Sequence, residues 1–109
     1  MPFDAETIAL ELIRSLRTPL EQLQRRNVAL ADQARRAATS IALNVSEGRR
    51  REGKDRLHLW RIAAGSAAEL RTALQVAMAW GHLGEEELRP AAGLLDRMLA
   101  VLWRLTRAR

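Results

Sequence analysis

The 109-residue chain has no cysteine. That excludes a disulfide framework, a zinc–thiolate centre and a thiol nucleophile. It has no tyrosine and only one phenylalanine, and valine, isoleucine and threonine are sparse. No stretch alternates apolar and polar residues with period two, so strands are not expected. Long apolar runs are missing as well; a membrane-spanning helix needs ~20 such residues. The N-terminal MPFDAETIALELI carries acids where a secretory signal would be basic, and no apolar core follows. The expectation is a cytoplasmic protein with no membrane association. Catalytic signatures are equally scarce. There are two histidines, His58 and His82, no glycine-rich phosphate loop and no His-Glu-x-x-His motif. Asp55-x-x-His58 has carboxylate–histidine helical spacing, but a metal-binding bundle draws ligands from several helices, and no matching motif follows. Ser40 and Ser66 sit in helical sequence without a partnering base. Neither an enzyme, a metal nor a cofactor is expected.

What the chain has in quantity is alanine, leucine, glutamate and arginine, the residues of helices. Its length suits one domain. The formal charge is +5, from 18 Lys+Arg against 13 Asp+Glu, and Lys54 is the sole lysine. Breaks at Asn27, Gly48–Gly53 and Gly81–Gly84 divide the sequence into helices over about 5–25, 28–47, 54–80 and 86–106. The first should start after Asp4 as N-cap and continue as one kinked helix through Pro19. Its stripe is Ile8, Leu12, Leu16, Leu20 and Leu23. The second has an apolar face of Leu30, Ala34, Ala37, Ile41 and Val45, with Gly48 as the left-handed residue beyond its end. Beside that face runs a polar stripe of Gln33, Arg36, Ser40, Asn44 and Glu47. Asn44 should be half-buried and need partners. Glu47 sits unfavourably near a helix C-terminus and should be offset by the arginines that follow. Glu69 is expected to pair with an arginine such as Arg36.

The third helix is apolar around much of its circumference. Trp60, Ala64, Ala67, Leu74 and Met78 form one seam, and Leu59, Ile62, Leu70, Ala77 and Trp80 widen it. Gly65, Ala68, Thr72 and Ala79 form a small-residue face. In the fourth helix, Leu88, Ala92, Leu95, Leu99 and Leu102 form the core stripe, flanked by Leu94, Val101 and Leu105. Pro90 is read as a first-turn proline, and Arg104, Arg107 and Arg109 complement the C-terminal dipole. Short connections make sequential helices antiparallel, so the expected fold is an all-α, up-down-up-down four-helix bundle. The breadth of apolar surface on the last two helices predicts a homo-oligomer, with Leu43, Leu59, Ile62, Leu94 and Val101 as interface residues. The three tryptophans are expected to be buried or interfacial.

Two spaced motifs are similar to a known signature. They are Ser40-Ile41-x-x-Asn44-x-x-Glu47-Gly48, continuing through Arg50 and Asp55, and Ile62-Ala63-x-Gly65-Ser66-x-x-Glu69-Leu70. They resemble the bacterial four-helix-bundle family of proteins encoded by intervening sequences in large-subunit ribosomal RNA genes. That family includes the accessory variability determinant of diversity-generating retroelements. The resemblance implies a ring-like assembly, typically a pentamer. For the retroelement branch it further implies a basic surface that binds nucleic acid and a reverse-transcriptase partner. Ala42 stands where relatives often carry proline.

Between Gly48 and Gly53 lie Arg49, Arg50 and Arg51, with Lys54 and Arg56 close behind. Repeated around a ring, such a corner would bind RNA or DNA through phosphates, with steep salt dependence and little sequence readout. Two functions follow for the chain: a nucleic-acid-binding accessory subunit acting through the basic corner, or an oligomeric interaction scaffold whose arginines cap, pair and solvate a turn.

Overall fold

The computed structural model describes residues 4–107. The described residues form four helices: α1 (Asp4–Arg26), α2 (Val28–Arg49), α3 (Gly53–Ala79) and α4 (Glu85–Thr106). At ~1.5 Å per residue, α3 alone nearly accounts for the 42 Å long axis of the 42 × 25 × 19 Å molecule. The helices pack side by side in a square, each against its sequence neighbour, with α1 closing against α4. Cross-links fix their directions. Arg49 bonds Glu6 and Arg35 bonds Gln24, so α1 and α2 are antiparallel. Ser40 bonds Ser66 and Gln33 bonds Glu69, so α2 and α3 are too.

The helix ends follow their local chemistry. The Asn27 side chain accepts the Leu30 N–H at 3.0 Å and starts α2. Gly81, at φ +78°, ends α3; its N–H reaches the Met78 carbonyl and that of His82 the Ala77 carbonyl. This is the paired bonding of a left-handed helix end, which favours glycine. Gly53 turns the chain into α3 at φ +59°. At the start of α4 the Glu87 carboxylate accepts the Gly84 N–H at 2.6 Å. Pro19 lies inside α1, which stays one helix as expected. Pro90 lies in the second turn of α4, because that helix begins at Glu85. There it removes the bond the Glu86 carbonyl would have accepted. Arg109 lies outside the described residues.

The core contains Leu12, Leu16, Leu23, Ile41, Val45, Leu70, Met98 and Leu102, all fully enclosed. Alanines fill the narrow spaces between, above all on α2 and α3. Several expected core positions shift. Met78 and Ala92 are exposed and Leu99 is half-buried; Ala63, Ala73, Ala91 and Met98 are buried instead. The three tryptophans differ in what this chain covers. Trp80 is 70% exposed and Trp103 59%, whereas Trp60 is buried. Leu94 and Val101, expected at an interface, pack half-buried against this chain's own core.

Candidate functional site

The residues singled out from the sequence converge on two places. The first is the seam between α2 and α3. The Ser40 and Ser66 hydroxyls lie 2.7 Å apart. The Asn44 amide donates to the Ser40 carbonyl at 2.9 Å and to its hydroxyl at 3.1 Å. Asn44 therefore finds the partners its half-buried position requires. Further along, the Gln33 amide lies 3.5 Å from the Glu69 carboxylate. An open cleft of about 520 Å³ is lined by Ala29, Gln33, Arg36, Ala37, Ser40, Ser66 and Glu69. Arg36 does not pair with Glu69, contrary to expectation; the carboxylate turns to Gln33.

Facing stripes border this seam. On α3, Ile62, Gly65, Glu69, Thr72 and Val76 recur at helical spacing and are all exposed. On α2, Arg36 lines the cleft opposite Glu69, and Leu43 borders a shallower groove with Arg35, Arg36, Thr39, Ser40 and Asn44, all on α2. Leu43 is 65% exposed and Ile62 39%. Antiparallel packing puts them at one level, since each lies one turn beyond the Ser40–Ser66 contact. Of the five expected interface residues, these two are exposed, while Leu59 is half-buried. A side chain at Gly65 would meet nothing within 4 Å.

The second place is the arginine-rich corner joining α2 to α3. Gly48 is not the left-handed cap expected there. It lies within α2, is buried, and is followed by helical Arg49, with Arg50 as the cap. A Cβ at Gly48 would stand 2.6 Å from both Cδ1 and Nε1 of Trp60. The glycine thus admits the indole, whose N–H donates to the Val45 carbonyl at 3.2 Å. Neither end of this contact is visible from spacing within one helix, so sequence reasoning missed it.

The corner arginines are engaged with the protein itself. Arg49 meets Glu6 at 2.7 Å. Arg50 and Arg51 both hold Glu47, at 3.2 and 2.9 Å. Their hydrogen bonds, Arg50's foremost and then Arg51's, hold the Glu47 carboxyl below the usual carboxylate range. Arg56 donates to the Gly48 carbonyl at 3.0 Å and the Arg49 carbonyl at 2.8 Å, capping α2, while its guanidinium lies over the Trp60 ring. Lys54 is exposed. With Glu6, Glu47, Glu52 and Asp55 close by, the corner's excess of positive charge is small. At the same end of the bundle, α4 finishes with exposed Trp103, over which Arg107 stacks at 3.9 Å. No cluster of three or more His, Asp or Glu able to hold a metal exists among the described residues, and none of the described helices is long and apolar enough to cross a membrane.

These features define a small all-α, antiparallel four-helix bundle with a polar, cleft-bearing seam between its central helices. The chain belongs to the 23S rRNA-intervening sequence protein family, whose model matches residues 4–104. Its fold is similar to the crystal structure of a protein of unknown function from the S23 ribosomal protein family of Bacteroides thetaiotaomicron. That similarity has a TM-score of 0.85 at 17% identity, over 95% of this chain and 99% of the other. No curated protein matches the chain.

Proposed function

We propose that the protein is a non-catalytic interaction module that assembles with copies of itself through the α2–α3 face. The observation that carries this reading is the pair Leu43 and Ile62, large apolar residues exposed on adjacent helices at one level of the bundle. Gly65 supports it. A mid-helix glycine costs about 1 kcal/mol relative to alanine, and this one admits no neighbour from its own chain. A helix approaching from outside would use the space. The Ser40, Asn44 and Ser66 side chains bond one another, which suits rigid support of a surface better than catalysis. A face that meets its own copy closes a two-fold dimer; the ring implied by the resemblance, with a pentamer favoured, needs this face to meet a different patch of the next copy.

The test is the mass in solution by light scattering across a concentration series. Leu43→Glu should lower the assembled mass, whereas Leu10→Glu, exposed on α1 away from this seam, should not. A wild-type chain that stays monomeric up to high concentration would overturn the reading.

A second reading, nucleic-acid binding by an accessory subunit, is favoured by one observation. Arg50 and Arg51 remain 69% and 50% exposed at their side chains while holding Glu47. A guanidinium has five donors, and exposed ion pairs contribute only ~0–1 kcal/mol, so a phosphate could share or replace the carboxylate. Lys54, Arg56 and Arg49 would extend the contact to RNA or DNA, and an enzyme such as a reverse transcriptase would be the protein partner. Affinity for structured RNA and duplex DNA across a salt series, with Arg49, Arg50 and Arg51 changed together to Ala, tests it. Absent binding at low salt would leave the arginines as a cap and turn.

A further inference from the structure

Arg36 and Glu69 stand on opposite walls of one cleft, exposed, with opposite charges, and unpaired with each other. Glu69 has only the long 3.5 Å contact from Gln33, at the outer edge of hydrogen bonding. Neither residue belongs to an ion pair among the described residues. Seven residues, about two turns, further along each helix lie Leu43 and Ile62, and Gly65 leaves open space beside Glu69.

We propose that Arg36 and Glu69 are the two halves of an intermolecular ion pair, and that the occupant of the cleft is a second copy of this chain. The proposal rests on the self-association reading above and adds its register. The face carries both signs at one level, so it is complementary to itself, while a partner of uniform charge would meet repulsion at one wall. The apolar residues alongside would exclude water once the copies meet. A shielded, opposed pair then sets orientation, and a like-charged pair in that place is strongly unfavourable.

The experiment uses Arg36→Glu and Glu69→Arg, each alone, both together in one chain, and the two single variants mixed in equal amounts. Both positions are exposed, so helical content by circular dichroism should match wild type. Each single variant places like charges in contact and should weaken association on the order of tenfold or more. The double variant and the mixture again join opposite signs, and both should regain assembled mass. Single variants that assemble like wild type, or a double variant and mixture no better than their parts, would overturn the pairing. If Leu43→Glu dissociates the assembly while the charge variants do not, the register falls and self-association stands. If the wild-type chain is monomeric, both fall.

Discussion

Replacing Gly48 by alanine should destabilise the bundle, although helix propensity alone argues the opposite. Gly48 lies in α2 with ordinary helical backbone, so alanine there gains about 1 kcal/mol of propensity. Its methyl, however, would stand 2.6 Å from Cδ1 and Nε1 of Trp60 and 3.4 Å from the Arg56 carbonyl oxygen. The indole is enclosed and its N–H is committed to Val45, so it cannot yield without loss. Overpacking of this kind costs roughly 1–3 kcal/mol. Leaving a buried donor or acceptor unpaired adds about 1–3 kcal/mol. The net is a destabilisation of about 1–5 kcal/mol after the propensity gain, centred near 3 kcal/mol. For a domain of this size that is a fall in Tm of roughly 10 °C or more. Urea and thermal unfolding at fixed concentration would measure it, with Trp60 fluorescence followed in a Trp80→Phe, Trp103→Phe background. A Gly48→Ala chain as stable as wild type would refute the close-approach assignment and restore Gly48 to an ordinary helix position.

Gly65→Ala should behave oppositely: with nothing near its Cβ, it should stabilise the separated chain by about 0.5–1 kcal/mol in urea unfolding while lowering the mass of the assembly. Ser66→Ala should cost about 1 kcal/mol, a small loss because the Ser40 hydroxyl keeps its bond to Asn44; a loss of several kcal/mol would mean the seam is held otherwise. Glu47 has a folded pKa below its unfolded one. Its contribution is therefore complete above the unfolded carboxylate range and is lost as pH falls through the lowered folded value. The Tm gap between wild type and Glu47→Gln should be widest at neutral pH and close as the pH falls below the ordinary carboxylate range. A gap independent of pH would contradict the Arg50–Glu47–Arg51 clasp.

The helices, their antiparallel order and most of their ends were legible because apolar spacing, Asn27 and the glycines at 53 and 81 each carry a local signal. The core register of α4 was not. Ala91 and Ala92 are indistinguishable by hydropathy, as are Met98 and Leu99, so two stripes one residue apart fit the same sequence. The Gly48–Trp60 contact joins residues on different helices, and a glycine before a run of arginines looks like a cap until its neighbour is known. The polar partners of Asn44 and Glu47 were foreseeable because both lie within one or two turns along the chain. Arg36 and Glu69 were not, since whether two exposed charges meet depends on a third side chain, Gln33. Likewise the breadth of apolar surface on α3 and α4 was real, but Leu94 and Val101 turn it inward. Of the exposed remainder, Ile62 and Val76 border α2, Met78 lines a groove against α4, and Trp80 and Trp103 stand near the ends of their helices.

The most direct test of the central claim is hydroxyl-radical footprinting at two concentrations, one favouring separated chains and one favouring assembly. The account predicts protection at Leu43, Ile62 and Val76 that grows with association, while Leu10 and Trp103 stay reactive. Protection confined to Leu10 or Trp103, or none that depends on concentration, would contradict the assignment of the α2–α3 face.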